Sequence, residues 1–209
     1  MDHELMNMLE DLSVSLSYTS NISSLLSLAV YVFSALAIYT IAQRRGIRHP
    51  WMAWVPLIDV WTLGSISDQY RYVAMGEVRN KRKVLLTINI LNFILASVAV
   101  IHMIVTIVRM VMGEMSFGYE EEVVWEILSC LLWFVPVLIL GIAAFIVEIL
   151  ALYDLYTSCD PANKVLYLVL SLIPGINQIT RPLFLFLCRN QDNGMPPRRE
   201  TVAENPAEF

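Results

Sequence analysis

Apolar residues run through this chain in three long blocks that contain no charged side chain. At about 1.5 Å of rise per residue, each block is long enough to cross the hydrocarbon core of a bilayer as a helix. The blocks are Ile22–Ala42, Val84–Val108 and Ile127–Val147. They predict an all-α integral membrane protein with three full transmembrane helices.

Two further apolar segments, His49–Tyr70 and Val165–Cys188, are interrupted near their middle. The first contains Pro56 and the second a Pro174-Gly175 pair. Proline removes a backbone donor and breaks a helix, and broken backbone is tolerated at membrane depth only against protein or a wet cavity. The segments are therefore expected to form re-entrant hairpins or interfacial helices.

The choice between these two forms differs between the segments. In the first, four residues at helical spacing favour a helix lying at headgroup level as strongly as a hairpin that dips into the membrane: Trp51, Trp54, Ile58 and Trp61. The second lacks tryptophan and has the harder Pro-Gly break, so a dip is favoured there. A reading in which both segments cross, giving five spans, is the alternative.

Basic residues gather beside these segments and predict the topology. If both broken segments return to the side they came from, every Lys and Arg of the 14 except Arg109 and Arg181 lies on one side. The cytoplasmic side carries the excess of positive charge. The expected orientation therefore has the N-terminus outside and the C-terminus in the cytoplasm.

The two broken segments and the spans before them also resemble each other, which indicates a parallel internal repeat. An ordered series recurs in both halves: Tyr39-Thr40 with Tyr156-Thr157, Pro56 with Pro174, Asp59 with Asn177, and Thr62 with Thr180. Parallel repeats with irregular segments that meet near a site are common in transporters.

The predicted organisation follows from these assignments. An acidic extracytoplasmic segment, a membrane domain and a disordered cytoplasmic tail are expected at 1–21, 22–188 and 189–209. Within the membrane domain, the first repeat covers about 22–70, the linking span 84–108 and the second repeat about 127–188.

The stretch "GIRHPWMAWVPLID" resembles a motif of small multi-pass membrane proteins found largely in Firmicutes. The motif has glycine, then Pro-Trp, apolar residues, a second proline and finally Asn or Asp. "YDLYTSCDPANKVLYLVLSLI" and "FLFLCRNQDNGMPPR" are similar to the C-terminal part of one such uncharacterised family. The resemblance implies a bacterial plasma membrane, and it brings no activity or site residues.

Composition narrows the function further. The chain of 209 residues is 57% hydrophobic and 16% charged, against about 25% charged in soluble domains. Its sequence shows no catalytic motif, no metal-ligand spacing among three dispersed cysteines and three histidines, and no basic stripe with interleaved aromatics. An enzyme, a cofactor, a bound metal and a nucleic-acid partner are therefore not expected.

Polar residues inside apolar segments are the candidate binding residues, because ionisable groups in a membrane are costly and often functional. These are Asp59, Asn177, Arg181, Glu148, Asp154, Asn89 and Asn92. Asp59 and Asn177 either line a pocket together or cap the helices that follow them. Asn89 and Asn92 either meet the hairpins or join neighbouring helices. Arg181 is expected to pair with Glu148 or Asp154, or to snorkel to the surface.

Two functions fit these features. The first is an interaction or accessory subunit of a membrane complex, whose partners are the lipid bilayer and another membrane protein or a second copy of the chain. The second is a small oligomeric transporter or channel with a polar pathway at the broken helices.

Overall fold

The fold is built from helices that follow the apolar blocks. A computed structural model describes residues 2–112 and 120–196, with side chains at 20–112 and 124–196. These residues form a short 3₁₀ helix at Pro50–Trp54 and six α-helices, which are α1 (Asp2–Arg44), α2 (Asp59–Met75), α3 (Lys81–Val111), α4 (Glu120–Cys159), α5 (Lys164–Leu172) and α6 (Asn177–Cys188). The charge pattern also predicts that an acidic loop at 113–122 lies on the same side as the N-terminus, and most of this loop lies outside the described residues.

Three of these helices are long and apolar enough to cross a membrane. The spanning parts are Ser20–Arg44, Lys81–Val111 and Val124–Cys159, and each encloses one predicted span. The all-α fold is thus confirmed for the described residues, and each predicted span coincides with a helix that could cross a membrane. Because α4 continues well past the apolar block, about 12 residues at its C-terminal end are free to pack against protein rather than lipid.

Each proline-containing segment breaks at the position that the sequence predicts. Between the 3₁₀ helix and α2, Val55 is extended, Pro56 follows, and Leu57 adopts a left-handed φ of 70°. The N–H of Ile58 donates to the carbonyl of Val55 over 3.1 Å, which closes a tight turn with proline at its second position. Trp51 and Trp54 therefore lie in the 3₁₀ helix, Ile58 in the turn and Trp61 in α2, so these four residues do not share one continuous helix.

The break between α5 and α6 has the same backbone geometry. Ile173 is extended, Pro174 follows, and Gly175 has a φ of 86°. The N–H of Asn177 donates to the carbonyl of Ile173 over 2.9 Å, just as that of Asp59 donates to Val55 over 3.0 Å. The two polar residues therefore occupy the same position, at the first turn of the helix after the break.

The buried core lies at one end of the molecule. It joins the C-terminal ends of α1 and α4 to the start of α3 and to both broken segments, with Ile41, Leu63, Leu85, Leu155 and Leu185 among its fully buried side chains. The other halves of the spans are largely exposed, and every residue of α1 from 20 to 29 is exposed. α1 is therefore held to the other spans mainly at this end, whereas α3 and α4 also contact each other near their other ends, where Cys130 lies against His102 and Thr106.

The second helix of each broken segment packs across the molecule. α1 contacts the 3₁₀ helix and, more extensively, α6, whereas α4 contacts α5 and, more extensively, α2. Each half thus supplies a helix to the long helix of the other half. α3 completes the bundle against α2 and α4.

The start of the predicted tail is part of this packed end. The N–H groups of Asn193 and Gly194 donate to the carbonyls of Cys159 and Ser158 over 3.1 Å each, which caps the C-terminal end of α4. Asp192 accepts from Arg45 over 2.6 Å, and the Arg45 side chain is 3% exposed. Only residues 197–209 of that tail lie outside the described residues.

Replacing Gly194 by Ala should detach this segment. A Cβ at Gly194 would lie 2.0 Å from the carbonyl oxygen of Thr157, which is backbone of α4 and unable to move aside. We expect labelling of the buried Cys159 by a maleimide, located by peptide mass spectrometry, to accelerate at least about tenfold as local opening becomes easier. Asn193→Ala keeps both N–H groups and is the matched control; equal rates in the two variants would contradict the prediction.

Candidate functional site

The most strongly connected polar group is Asp154, which lies in α4 with 1% of its side chain exposed. Its carboxylate accepts from the hydroxyl of Ser67 over 2.6 Å and from Lys81 Nζ over 2.5 Å. Arg71 donates to both carboxylate oxygens, from Nε over 2.9 Å and from Nη2 over 3.0 Å. One buried carboxylate thus binds α4 to α2 and to the start of α3.

This cluster, which we call the Asp154 cluster, holds two cations for one buried anion. The second carboxylate near it is Glu77, whose side chain is 45% exposed and lies 3.4 Å from Arg71. The hydrogen bond to Asp154 raises the pKa of Arg71 above its usual value. Paired and hydrogen-bonded charges of this kind are costly to break, because the remaining partner is left buried and uncompensated.

The carboxylate of Asp68, a residue of α2, fixes the start of α3. Asp68 accepts from the backbone N–H of Lys81 over 2.9 Å and of Arg82 over 3.2 Å. These two N–H groups are among those that a helix start leaves without an intrahelical partner. Burial raises the pKa of Asp68 in spite of the two donors. Asp68 thus acts as a cap supplied by α2.

The two broken segments meet at a charged group that we call the hairpin cluster: Asp59, Glu148 and Arg181. Arg181 of α6 pairs with Glu148 of α4, one of its two predicted partners. Asp59 lies within electrostatic range of both and also accepts the N–H of Val60 over 2.9 Å. The side chains of Arg181 and Glu148 are 36% and 26% exposed, so the pair is only partly buried within the protein.

The remaining candidates do not join this cluster through any contact in the described part of the chain. Asn177 lies at the start of α6, one turn before Arg181. Asn89 donates to the carbonyl of Leu85 in its own helix over 2.9 Å. Asn92 lies beside Gly141 of α4, with its side-chain carbonyl buried and unpaired. Neither asparagine of α3 forms a hydrogen bond to another helix among the residues that the structure describes.

Several contributors to these clusters are not apparent from sequence. Arg71 and Lys81 belong to the basic groups that set the topology, and nothing in their spacing indicates that they converge on Asp154. Asp192 lies in a polar segment that composition assigns to a disordered tail. The sequence offers one signal for these contacts. Carboxylates at the edge of a span are rare and need a cationic partner, and the nearby basic residues can supply one.

Among the residues that the structure describes, no group of three or more His, Cys, Asp or Glu side chains is arranged to hold a metal. The cysteines Cys130, Cys159 and Cys188 are free thiols. Comparisons with protein-family models, with curated proteins and with solved structures find no match to this chain.

Proposed function

We propose that this protein is an accessory subunit of a membrane complex and that α1 docks another transmembrane helix. The observation that carries the proposal is the exposed stretch of α1 at residues 21–29, every one of which is exposed. α3 and α4 pack against each other, whereas α1 contacts the 3₁₀ helix, α2 and α6 near the opposite end. Leu26 and Ala29 in this stretch line a cavity shared with α6, whereas the opposite face of the helix is open to a partner.

The chemistry of this surface suits a helix. Ser20, Ser24 and Ser27 fall on one face of α1, and small residues let two helix backbones approach closely in a membrane. The hydroxyl of Ser24 donates to the carbonyl of Ser20 over 2.8 Å, and that of Ser27 to Ser23 over 2.9 Å. Since these hydroxyls are satisfied inside α1, the face can be buried against a partner without a polar penalty.

Replacing Ser24 by Leu should release the partner. We expect purification in mild detergent to recover a specific second membrane protein, or a second copy of the chain, with the natural protein, and about tenfold less with the variant, because the larger side chain separates the helices. Ala29→Leu makes a similar change on the opposite face of α1 and should leave recovery unchanged. A protein that always elutes alone, or variants that behave alike, would contradict the proposal.

We also propose that the chain is a parallel internal repeat whose two broken segments are hairpins that return to the cytoplasmic side. The matching turns at Pro56 and Pro174 support it. So do Thr40 and Thr157, each of which donates to the carbonyl four residues earlier over 2.7 Å. The reciprocal packing of α2 on α4 and of α6 on α1 is the arrangement expected of two equivalent halves.

The orientation proposed for the plasma membrane has the packed, arginine-rich end in the cytoplasm. Cysteine accessibility tests it: Gly46→Cys and Gly76→Cys, which flank the first hairpin, should both react with a membrane-impermeant reagent only from the cytoplasmic side. Gly118→Cys, on the loop between α3 and α4, should react only from outside. Labelling of positions 46 and 76 from opposite sides would show that the first segment crosses.

Transport is the second candidate function, because the hairpin cluster places three charged groups where both broken segments meet α4. If it lines a pathway, Asp59→Ala and Arg181→Ala should each abolish ion flux through reconstituted liposomes. Asp160→Ala, at an exposed turn, is the control. Unchanged flux in both variants would remove the cluster from any transport mechanism.

A further inference from the structure

A cleft opens at the arginine-rich end, where α1 ends and α2 faces the start of α3. It consists of two adjoining cavities of about 330 and about 300 Å³, which share Ile47, Arg48, Ser65 and Arg82 in their walls. We call it the basic cleft. Neither the Asp154 cluster nor the proposed docking of α1 uses it.

The cleft carries more positive charge than it neutralises. Arg48 forms no hydrogen bond or ion pair with any residue that the structure describes, and Arg82 lies over the ring of Trp61, 5.5 Å from its centroid. Asp68 is the carboxylate in the wall; it lies within electrostatic range of Arg82, but its oxygens accept the two N–H groups at the start of α3. A guanidinium stacked on an aromatic ring keeps its N–H edge free for an anion.

Gln69, a residue of the cleft wall, also carries an unsatisfied acceptor beneath the surface of the cleft. Gln69 donates from Nε2 to the carbonyl of Arg45 over 3.0 Å, which fixes the orientation of its amide. Its Oε1 is buried and has no partner among the described residues. A ligand that satisfies the whole cleft therefore needs an anion for the arginines and a hydroxyl donor, which Gln69 Oε1 would accept once a small side-chain shift exposes it.

The position of the cleft identifies the source of such a ligand. It lies between Arg44, the last residue of α1, and Lys81, the first of α3, so it is level with the ends of two spans. Trp51 and Trp54 in the adjoining segment are 53% and 40% exposed, as is typical of side chains at headgroup depth. The orientation proposed above places this end on the cytoplasmic side, where basic pockets between transmembrane helices bind anionic headgroups.

We infer that the basic cleft binds the phosphate of an anionic phospholipid whose headgroup carries hydroxyls, with Arg48 and Arg82 on the phosphate and Gln69 on a hydroxyl. Phosphatidylglycerol has this chemistry. Zwitterionic phosphatidylcholine has the phosphate but no hydroxyl, and its cation opposes the arginines. A soluble glycerol phosphate shares the polar groups without the acyl chains.

The test compares lipid binding by the full-length protein in detergent micelles, measured by native mass spectrometry with added phosphatidylglycerol or phosphatidylcholine. The double variant Arg48→Gln/Arg82→Gln should bind phosphatidylglycerol about tenfold or more weakly than the natural protein. The matched control is Lys83→Gln/Lys164→Gln, which removes the same charge from the same end without touching the cleft walls, and it should change binding less than about twofold.

A separate variant tests the hydroxyl contact. Gln69→Leu should weaken the binding of phosphatidylglycerol and leave the binding of phosphatidylcholine unchanged.

Three outcomes would overturn the inference. The natural protein could bind both lipids equally well, or the arginine variant could match the lysine control. Alternatively, glycerol 3-phosphate could displace the lipid at the same concentration as phosphatidylglycerol does, which would make a soluble phosphate compound the ligand. Because both arginines are exposed, the variants should fold, and circular dichroism with size-exclusion chromatography checks this.

Discussion

Replacing Asp154 by Asn should destabilise the protein by about 3–5 kcal/mol, the usual cost of removing one partner from a buried ion pair. Asn is nearly the same size, so packing is preserved and the change is one of charge. Arg71 and Lys81 would then remain with 16% and 9% of their side chains exposed and no buried anion between them. Unfolding in mixed detergent micelles, followed by circular dichroism, measures the loss.

Glu77→Gln is the matched control for this prediction. It removes the other carboxylate that contacts Arg71, but at a site where the side chain is 45% exposed and the N–O distance is 3.4 Å. Exposed pairs contribute at most about 1 kcal/mol, so the control should be nearly neutral. Similar losses in both variants would show that burial of Asp154 does not govern its contribution.

A double variant separates charge from packing. Adding Lys81→Met to Asp154→Asn removes one of the two uncompensated cations, so the pair should be less destabilising than the sum of the single changes. Contacting residues in one network usually show coupling of about 0.5–3 kcal/mol. Additive losses would mean that Lys81 and Asp154 act independently, in spite of the 2.5 Å contact between them.

The sequence predicts well those structural features that depend on local chemistry, namely the spans and the helix breaks. The three spans follow from uncharged length, and both breaks fall at Pro56 and Pro174, which lack a backbone donor. Proline alone does not decide the matter, because Pro136 and Pro182 lie inside the continuous helices α4 and α6. The partner of Arg181 could be narrowed to two residues, since few carboxylates lie near the membrane interior. These features require no knowledge of which helix packs on which.

What the sequence does not predict is the arrangement between helices. In lipid both faces of a span are apolar, so no amphipathic pattern shows which face meets a neighbour. Arg71 reaches Asp154 across 83 positions of sequence, and that contact exists only because α2 packs on α4 rather than mainly on α1. The contact between Asp192 and Arg45 could not be predicted either, because both residues lie in polar segments whose composition indicates exposed surface.

Replacing Gly64 by Ala should also destabilise the protein, although alanine is the better helix former. A Cβ at Gly64 would lie 2.5 Å from Cα and 2.8 Å from the backbone N of Arg82, closer than real atoms approach. Because these are main-chain atoms, α3 as a whole must move away from α2. Overpacking of this kind costs about 1–3 kcal/mol.

The displacement would fall on the contacts that organise this end of the molecule. Asp68 holds the N–H groups of Lys81 and Arg82, and Lys81 Nζ holds Asp154. A shift of α3 lengthens all of these hydrogen bonds together, and hydrogen bonds weaken steeply once their geometry is lost. We therefore expect Gly64→Ala to reduce the effect of a subsequent Asp154→Asn change, since part of the network is already broken.

Gly141→Ala provides the matched comparison, because it makes the same change inside another helix. The nearest atom to its new Cβ would be Asn92 Nδ2 at 3.7 Å, which is ordinary van der Waals contact. Alanine gains about 1 kcal/mol over glycine in a helix interior, so this variant should be neutral or more stable. Opposite signs for the two glycines would establish that the approach of α2 to α3 is a close backbone contact, whereas stabilisation by both would show that the helices have room to separate.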